Sequence, residues 1–255
     1  MEAIPKLIFK FKPLSSREDV IRFFDTIKKQ RLYYPNAYQL NDPFEGQIPN
    51  YGGVAGNFIM TAVDQNRDYI RKIKEQIHIM SLSEDCFSPQ LWAYYCNNYN
   101  GVCLCFRTDS TFSSISRVSY VANVDDSSDD TPGTLEQIEQ ALMERVMQKT
   151  EGWKYEKEWR MISKGTVPLN AEYLSFGQDE LVGLIYGHNL NSETVDFIKS
   201  TIPGNMPLYK TYPGEVTGKV HLINPDYVFR YDGGLQDFID TVDQLQTALG
   251  VDAVS

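Results

Sequence analysis

The chain has 255 residues, enough for one substantial core, and its 42% hydrophobic and 23% charged residues mark a globular rather than a disordered protein. Its 34 acidic and 24 basic side chains give a net charge of −10, which argues against general coating of nucleic acid. No apolar run is long enough to span a membrane, the first residues lack a signal-peptide plan, and Cys86, Cys96, Cys103 and Cys105 read as free thiols of a reducing, cytoplasmic compartment.

Lys6–Lys12 alternates like a strand with one mixed face. Ser15 stands three residues before Glu18, a capping-box spacing, and predicts a helix to about Gln30. Arg31–Tyr34 reads as a short strand leading into a turn-rich loop around Asn41-Asp42-Pro43. A helix is expected near Asn57–Gln76, a strand at Ile77–Ser83, a short aromatic helix at Gln90–Asn97 and a buried strand at Gly101–Phe106. Arg117–Val121 is a further strand candidate, and the acidic stretch Asp125–Pro132 an exposed loop. Thr134 with Gln137 forms a second capping box, opening a helix expected to run to about Lys149.

Strands follow at Trp159–Ser163 and Leu181–Tyr186, a helix at Thr194–Thr201, and strands at Leu208–Tyr212 and His221–Ile223. A final helix is expected from Leu235 to Leu249. Several strands succeed one another without helices between them, so the reading is α+β, one domain over residues 1–255.

The common catalytic signatures are absent. His78, His188 and His221 sit in no H-E-x-x-H or C-x-x-C arrangement, so no metal is expected, and Cys103 and Cys105 read as small core residues on one strand face. There is no G-x-G-x-x-G, no Walker loop and no G-x-S-x-G elbow.

Four blocks stand out together: Leu40-Asn-Asp-Pro-Phe-Glu45, Ser81-Leu-Ser-Glu84, Leu91-Trp-Ala-Tyr-Tyr95 followed by Gly101-Val-Cys-Leu-Cys-Phe106, and Trp153-Lys-Tyr-Glu-Lys-Glu-Trp-Arg160. In this order and spacing the chain resembles the bacterial family known as domain of unknown function 2971. The resemblance covers roughly residues 8–190, with the C-terminal strands and helix completing the domain. It includes an early lysine–aromatic pair, Lys10-Phe11, where Phe replaces the more usual Tyr. The motif residues Asn41, Asp42, Glu45, Trp92 and Trp153 are part of it.

If the segment around Glu156 and Glu158 is extended, both carboxylates and Arg160 face one way. Ser81 and Ser83 form a second same-face pair. An early cationic strand, an S-x-S strand and an E-x-E segment resemble the three-part site of arginine–serine–glutamate ADP-ribosyltransferases. That resemblance implies a mixed or antiparallel split sheet flanked by helices, with NAD as substrate. It implies Glu158 as the catalytic carboxylate, Glu156 orienting or activating the acceptor, and Ser81 and Ser83 supporting the nicotinamide pocket. Lys10 would meet the diphosphate, Tyr95 or Tyr34 would stack on nicotinamide, and Arg160 would complete the binding face. The chemistry is sound, because a carboxylate beside the ribose stabilises the cationic transition state more than the ground state. Two residues depart from the pattern. Lys10 replaces an arginine, turning a bidentate clamp into a point charge, and Glu84 adds an acid the motif does not need. By analogy with the use of such folds, the protein would be a bacterial toxin or anti-phage effector with a protein or nucleic-acid acceptor and an antitoxin or immunity partner.

Each residue also has a plainer reading. Glu156, Glu158 and Arg160 could be surface ion pairs, Ser81 and Ser83 a solvent-facing strand, Asn41, Asp42 and Glu45 a structural turn, and Trp92, Tyr95 and Trp153 core. Two other functions stay open: a non-catalytic nucleotide- or protein-binding module, and a Mg-dependent hydrolase or nuclease using Asp42, Glu45, Glu156 and Glu158.

Overall fold

The computed structural model describes residues 3–40, 67–122, 134–164, 173–213, 220–223, 230–231 and 239–240. The strands are β1 (Leu7–Pro13), β2 (Arg31–Tyr33), β3 (Ile77–Ser83), β4 (Gly101–Arg107), β5 (Ser116–Arg117), β6 (Ser119–Val121), β7 (Gln148–Thr150), β8 (Glu158–Lys164), β9 (Tyr173–Ser175), β10 (Leu181–Tyr186), β11 (Leu208–Pro213), β12 (Val220–Ile223) and β13 (Arg230–Tyr231). The α-helices are α1 (Arg17–Lys29), α2 (Arg67–Gln76), α3 (Pro89–Tyr95), α4 (Leu135–Arg145) and α5 (Ser192–Thr201).

Nine of the strands form one mixed sheet in the order β13-β12-β11-β10-β4-β1-β3-β8-β5, in which β10 and β11 run parallel. The α+β reading therefore holds. β1 lies against β4 over seven registered pairs, from Leu7↔Arg107 to Pro13↔Gly101. On its other side it meets β3 at one pair only, Phe9↔Ser83. From that pair the two strands part.

Alternation along β3 divides the packing. Met80 and Leu82 join Ile8, Leu104, Phe106 and Leu184 in a core covered by Phe23 and Ile27 of α1 and Ile198 of α5. On the opposite face, Phe9, Cys103, Cys105 and Ile185 pack under Trp92 of α3. Farther along that face, Ile77 and Ile79 pack under Ile73 of α2 and Leu142 of α4. The parting of β1 and β3 lies between these last two clusters. All four thiols are buried and form no disulfide, and Cys103 and Cys105 are core residues as read.

Local chemistry shifts several boundaries. The first capping box uses Ser16 and Asp19, one residue later than the Ser15 and Glu18 expected, with Ser16 Oγ accepting from Asp19 N at 3.1 Å. The Thr134–Gln137 box is where expected, but its helix stops at Arg145 rather than near Lys149. Lys149 instead lies on β7, which pairs in parallel with β6. The expected strand Arg117–Val121 is split, because Arg117 pairs with β8 and Ser119 onward with β7. The largest difference concerns Glu156. Residues Glu151–Glu156 form a 3-10 helix, and Lys157 then takes a left-handed φ of 44°, so the E-x-E segment is not extended.

Residues 57–66 of the expected second helix, the acidic loop 125–132 and most of the expected final helix lie outside the described residues, as do Asn41, Asp42 and Glu45; Ile239 and Asp240 are helical. No helix among the described residues is long and apolar enough to cross a membrane.

Candidate functional site

Where β1 and β3 part, a cleft of about 200 Å³ opens, lined by Phe9, Lys10, Phe11, Ser81, Ser83, Leu91, Tyr95, Lys149, Glu156, Glu158 and Arg160, with Pro35, Gln39 and Leu40 on its rim. Register explains the gathering. Ser83 faces Glu158 and Ser81 faces Arg160 across the β3–β8 ladder, so these four side chains share the face that carries Phe9. Lys10 points from the opposite face of β1, but the strands have separated enough for its ammonium to donate to the Ser81 carbonyl oxygen at 2.8 Å.

The polar centre is a buried ionic cluster. Glu156, Glu158 and Arg160 are 4%, 3% and 1% exposed, so the surface-ion-pair reading does not hold. Arg160 donates to Glu158 through Nε at 2.7 Å and through Nη2 at 3.0 Å, a bidentate pair, and through Nη1 to the Val146 carbonyl. Lys149 Nζ stands 2.5 Å from Glu156 Oε2 and 2.8 Å from Glu158 Oε2, bridging the two acids. The Tyr95 hydroxyl donates to the other oxygen of Glu156 at 2.5 Å. The left-handed turn at Lys157 brings Glu156 to the same ammonium as Glu158 without an extended segment.

Neighbours push the two carboxyls apart. Burial raises Glu156, and the attraction of Lys149 only partly offsets it. Burial acts on Glu158 too, but Arg160 and Lys149 together outweigh it and hold the group down at about 2. Burial also lowers the Lys10 ammonium to about 8, against the pull of Glu158. An environment that separates two acids in this way is the usual setting for distinct acid and base roles.

Other predicted residues take structural positions. Ser83 Oγ donates to the Glu156 carbonyl oxygen at 2.7 Å and accepts from Asp85 N at 3.0 Å, latching β3 to the 3-10 turn, while Ser81 borders the cleft. Tyr34 does not line the cleft; its hydroxyl donates to the Met161 carbonyl oxygen at 3.1 Å within the packed core. Trp92 is core, stacked on Tyr99 at 5.8 Å and donating its indole N–H to the Cys86 carbonyl oxygen at 2.8 Å. Trp153 lies under the Lys149 ammonium, 5.1 Å from ring centroid to nitrogen. Glu84, the acid foreign to the transferase pattern, receives Arg117 Nη2 and the Trp159 indole N–H, both at 2.8 Å, and so fastens β8.

Lys149 is the residue that sequence reading misses. It stands seven residues before Glu156 and in no motif; only the need of two buried acids for a counter-charge would have pointed to a nearby lysine. Among the described residues no group of three or more His, Cys, Asp or Glu side chains could hold a metal ion.

Residues 91–161 match a family described as Protein of unknown function (DUF2971). The DUF2971 match spans α3 through most of β8 and contains Tyr95, Lys149, Glu156, Glu158 and Arg160. Lys10 of β1, Ser81 and Ser83 of β3 and the Asn41–Glu45 block fall outside it. No curated protein and no solved structure matches the chain.

Proposed function

We propose that the cleft between β1 and β3 binds NAD and that the protein is an ADP-ribosyltransferase. The observation that carries this reading is the convergence of Lys10, Ser81 and Glu158, from three strands distant in sequence, at the place where β1 and β3 part. Glu158 is the carboxylate that faces the nicotinamide ribose, since Arg160 and Lys149 keep it ionised and rigidly aimed. Glu156, raised by burial and tied to Tyr95, handles the proton of the acceptor. Lys10 supplies positive charge to the diphosphate. The acceptor is a protein or a nucleic acid, and the setting is a cytoplasmic toxin or anti-phage effector held in check by an antitoxin or immunity partner.

The test is nicotinamide release from NAD by the purified protein, with and without cell lysate as a source of acceptor. Glu158→Gln is expected to slow release by about a hundredfold or more, the scale of losing one preorganised electrostatic contact. That variant also unpairs Arg160, so its thermal unfolding is recorded beside it, and Lys10→Gln serves as the gentler companion. No release in either condition, together with no NAD binding by calorimetry, would sink the proposal.

Lys10 adds a pH signature. Its proton leaves near pH 8 rather than above 10, so below pH 8 the cleft carries the charge an anion needs. Affinity for ADP-ribose is expected to fall by up to about tenfold per pH unit above 8, the slope for loss of one proton. In Lys10→Gln the slope should flatten, because the half-buried Lys12, also lowered to about 8, is not among the residues lining the cleft. An unchanged slope in that variant removes Lys10 from the anion site.

One observation favours a second reading, a nucleotide-binding module without turnover. Arg160 and Lys149 both neutralise Glu158, leaving it less charge to offer a cationic transition state. NAD binding without release in any condition would select it. A divalent-cation hydrolase has less support, since the Lys149 ammonium fills the space between Glu156 and Glu158 that the cation would need.

A further inference from the structure

The cleft is too small for a whole dinucleotide. A cavity of about 150 Å³ holds a benzene ring, so about 200 Å³ takes one ring with part of its sugar. The adenosine half of the molecule must then lie on the surface beyond the rim, where its ring needs a contact of its own.

Three exposed aromatic side chains lie within two residues, in sequence, of residues that line the cleft. Tyr38 lies in the short turn that supplies Gln39 and Leu40, but the Lys74 ammonium already lies 5.5 Å from its ring centroid. Tyr33 is engaged edge-on with Tyr173 at 5.9 Å and donates its hydroxyl to Gln39. Tyr94 differs. It is 70% exposed, the highest value for a large hydrophobic among the described residues, and its ring contact is a tilted one with Tyr155 at 6.3 Å.

Tyr94 also stands beside the site. The hydrogen bond between Tyr95 and Glu156 ties α3 to the 3-10 turn, and Tyr94 and Tyr155 are the chain neighbours of those two residues. Tyr155 continues to Trp153 at 6.1 Å, and Trp153 lies under the bridging Lys149. An aromatic shelf thus runs from the ionic cluster to an exposed ring on a helix anchored by buried Leu91 and Trp92.

We infer that Tyr94, backed by Tyr155, stacks the second aromatic ring of the ligand, the adenine of NAD. This rests on the NAD reading of the cleft and assigns the half of the ligand that the cleft leaves outside. Stacking needs only a flat ring face, and its strength on an aromatic side chain is enough to be read as an affinity change.

The experiment is calorimetric binding of NAD and of nicotinamide mononucleotide, which lacks the adenosine half, to the intact wild type and to Tyr94→Ala and Tyr94→Phe. Tyr94→Ala should weaken NAD binding by about fivefold or more, Tyr94→Phe should keep it, and none should change affinity for the mononucleotide. NAD affinity that is unchanged in Tyr94→Ala, or a mononucleotide weakened equally, overturns the shelf while leaving the NAD reading intact. Absence of NAD binding to the wild type overturns both.

Discussion

Lys149→Met is expected to lose about 3–5 kcal/mol of stability, the scale for breaking a buried ion pair by removing one partner. That is a large part of the roughly 5–15 kcal/mol that holds a typical domain folded. Methionine nearly matches the volume, so the loss is electrostatic rather than a cavity. Glu158 would keep its bidentate Arg160, whereas Glu156 would keep Tyr95 but lose its ammonium partner. The sign of the pH dependence follows. Burial already raises the Glu156 carboxyl, and without Lys149 it rises further. A raised carboxyl weakens the fold fully above its folded value, and the penalty disappears below the unfolded value of about 4.5. The deficit in urea midpoint against wild type should therefore be large at pH 7 and narrow toward pH 5. Adding Glu156→Gln to Lys149→Met should recover part of the loss, as a cycle through a shared contact requires. A deficit under about 1 kcal/mol, flat with pH, would mean that the cluster is better solvated than its burial implies.

Gly187→Ala should cost about 3 kcal/mol by overpacking and lower the melting temperature by roughly 6–12 °C for a chain of this size. A methyl group on Gly187 would stand 2.0 Å from the Tyr99 carbonyl oxygen and 2.6 Å from its carbon. The obstacle is backbone, and it is pinned. Asn97, Asn98 and Tyr99 all hold positive φ, at 43°, 55° and 65°, and the Tyr99 ring is fixed between Trp92 and His188. Gly187 N–H also donates to the Gly101 carbonyl oxygen at 2.9 Å, so it cannot retreat without loosening the end of β10. A melting temperature within about 2 °C of wild type would show that the left-handed segment yields more easily than its contacts suggest.

Local rules made much of this fold legible. Ile77–Ser83 and Leu181–Tyr186 are strands where their apolar patterns place them, and Thr134 caps α4 as its spacing requires. Failures came where distant partners decide. Nothing local in Gln148–Thr150 announces a strand; it becomes one by pairing with Ser119–Val121, and that pairing carries Lys149 to the acids. The candidate cleft was legible as a gathering of residues, since Lys10, Ser81, Ser83, Tyr95, Glu156, Glu158 and Arg160 all line it. Its wiring was not. Lys157 in the left-handed region, rather than an extended E-x-E, brings the second acid round, and a lysine gives no sequence warning of that conformation. Tyr34 was misplaced because an aromatic residue at a strand end serves a core as readily as a cleft.

The order of strands in the sheet also bears on how the site comes into being. Lys10 and Ser81 are 71 residues apart, yet β1 and β3 are neighbours in space. Pairings of this kind form only after long loops have closed, so they lag behind local structure in folding. The segment 91–161 that matches DUF2971 carries both glutamates and Lys149 but neither β1 nor β3. Made alone, it would hold the charged groups without the two strands whose divergence creates the space between them. The cleft is thus a property of the assembled sheet and not of the matched segment, and a nascent chain emerging in order would gain it only once residues beyond Glu158 had been made.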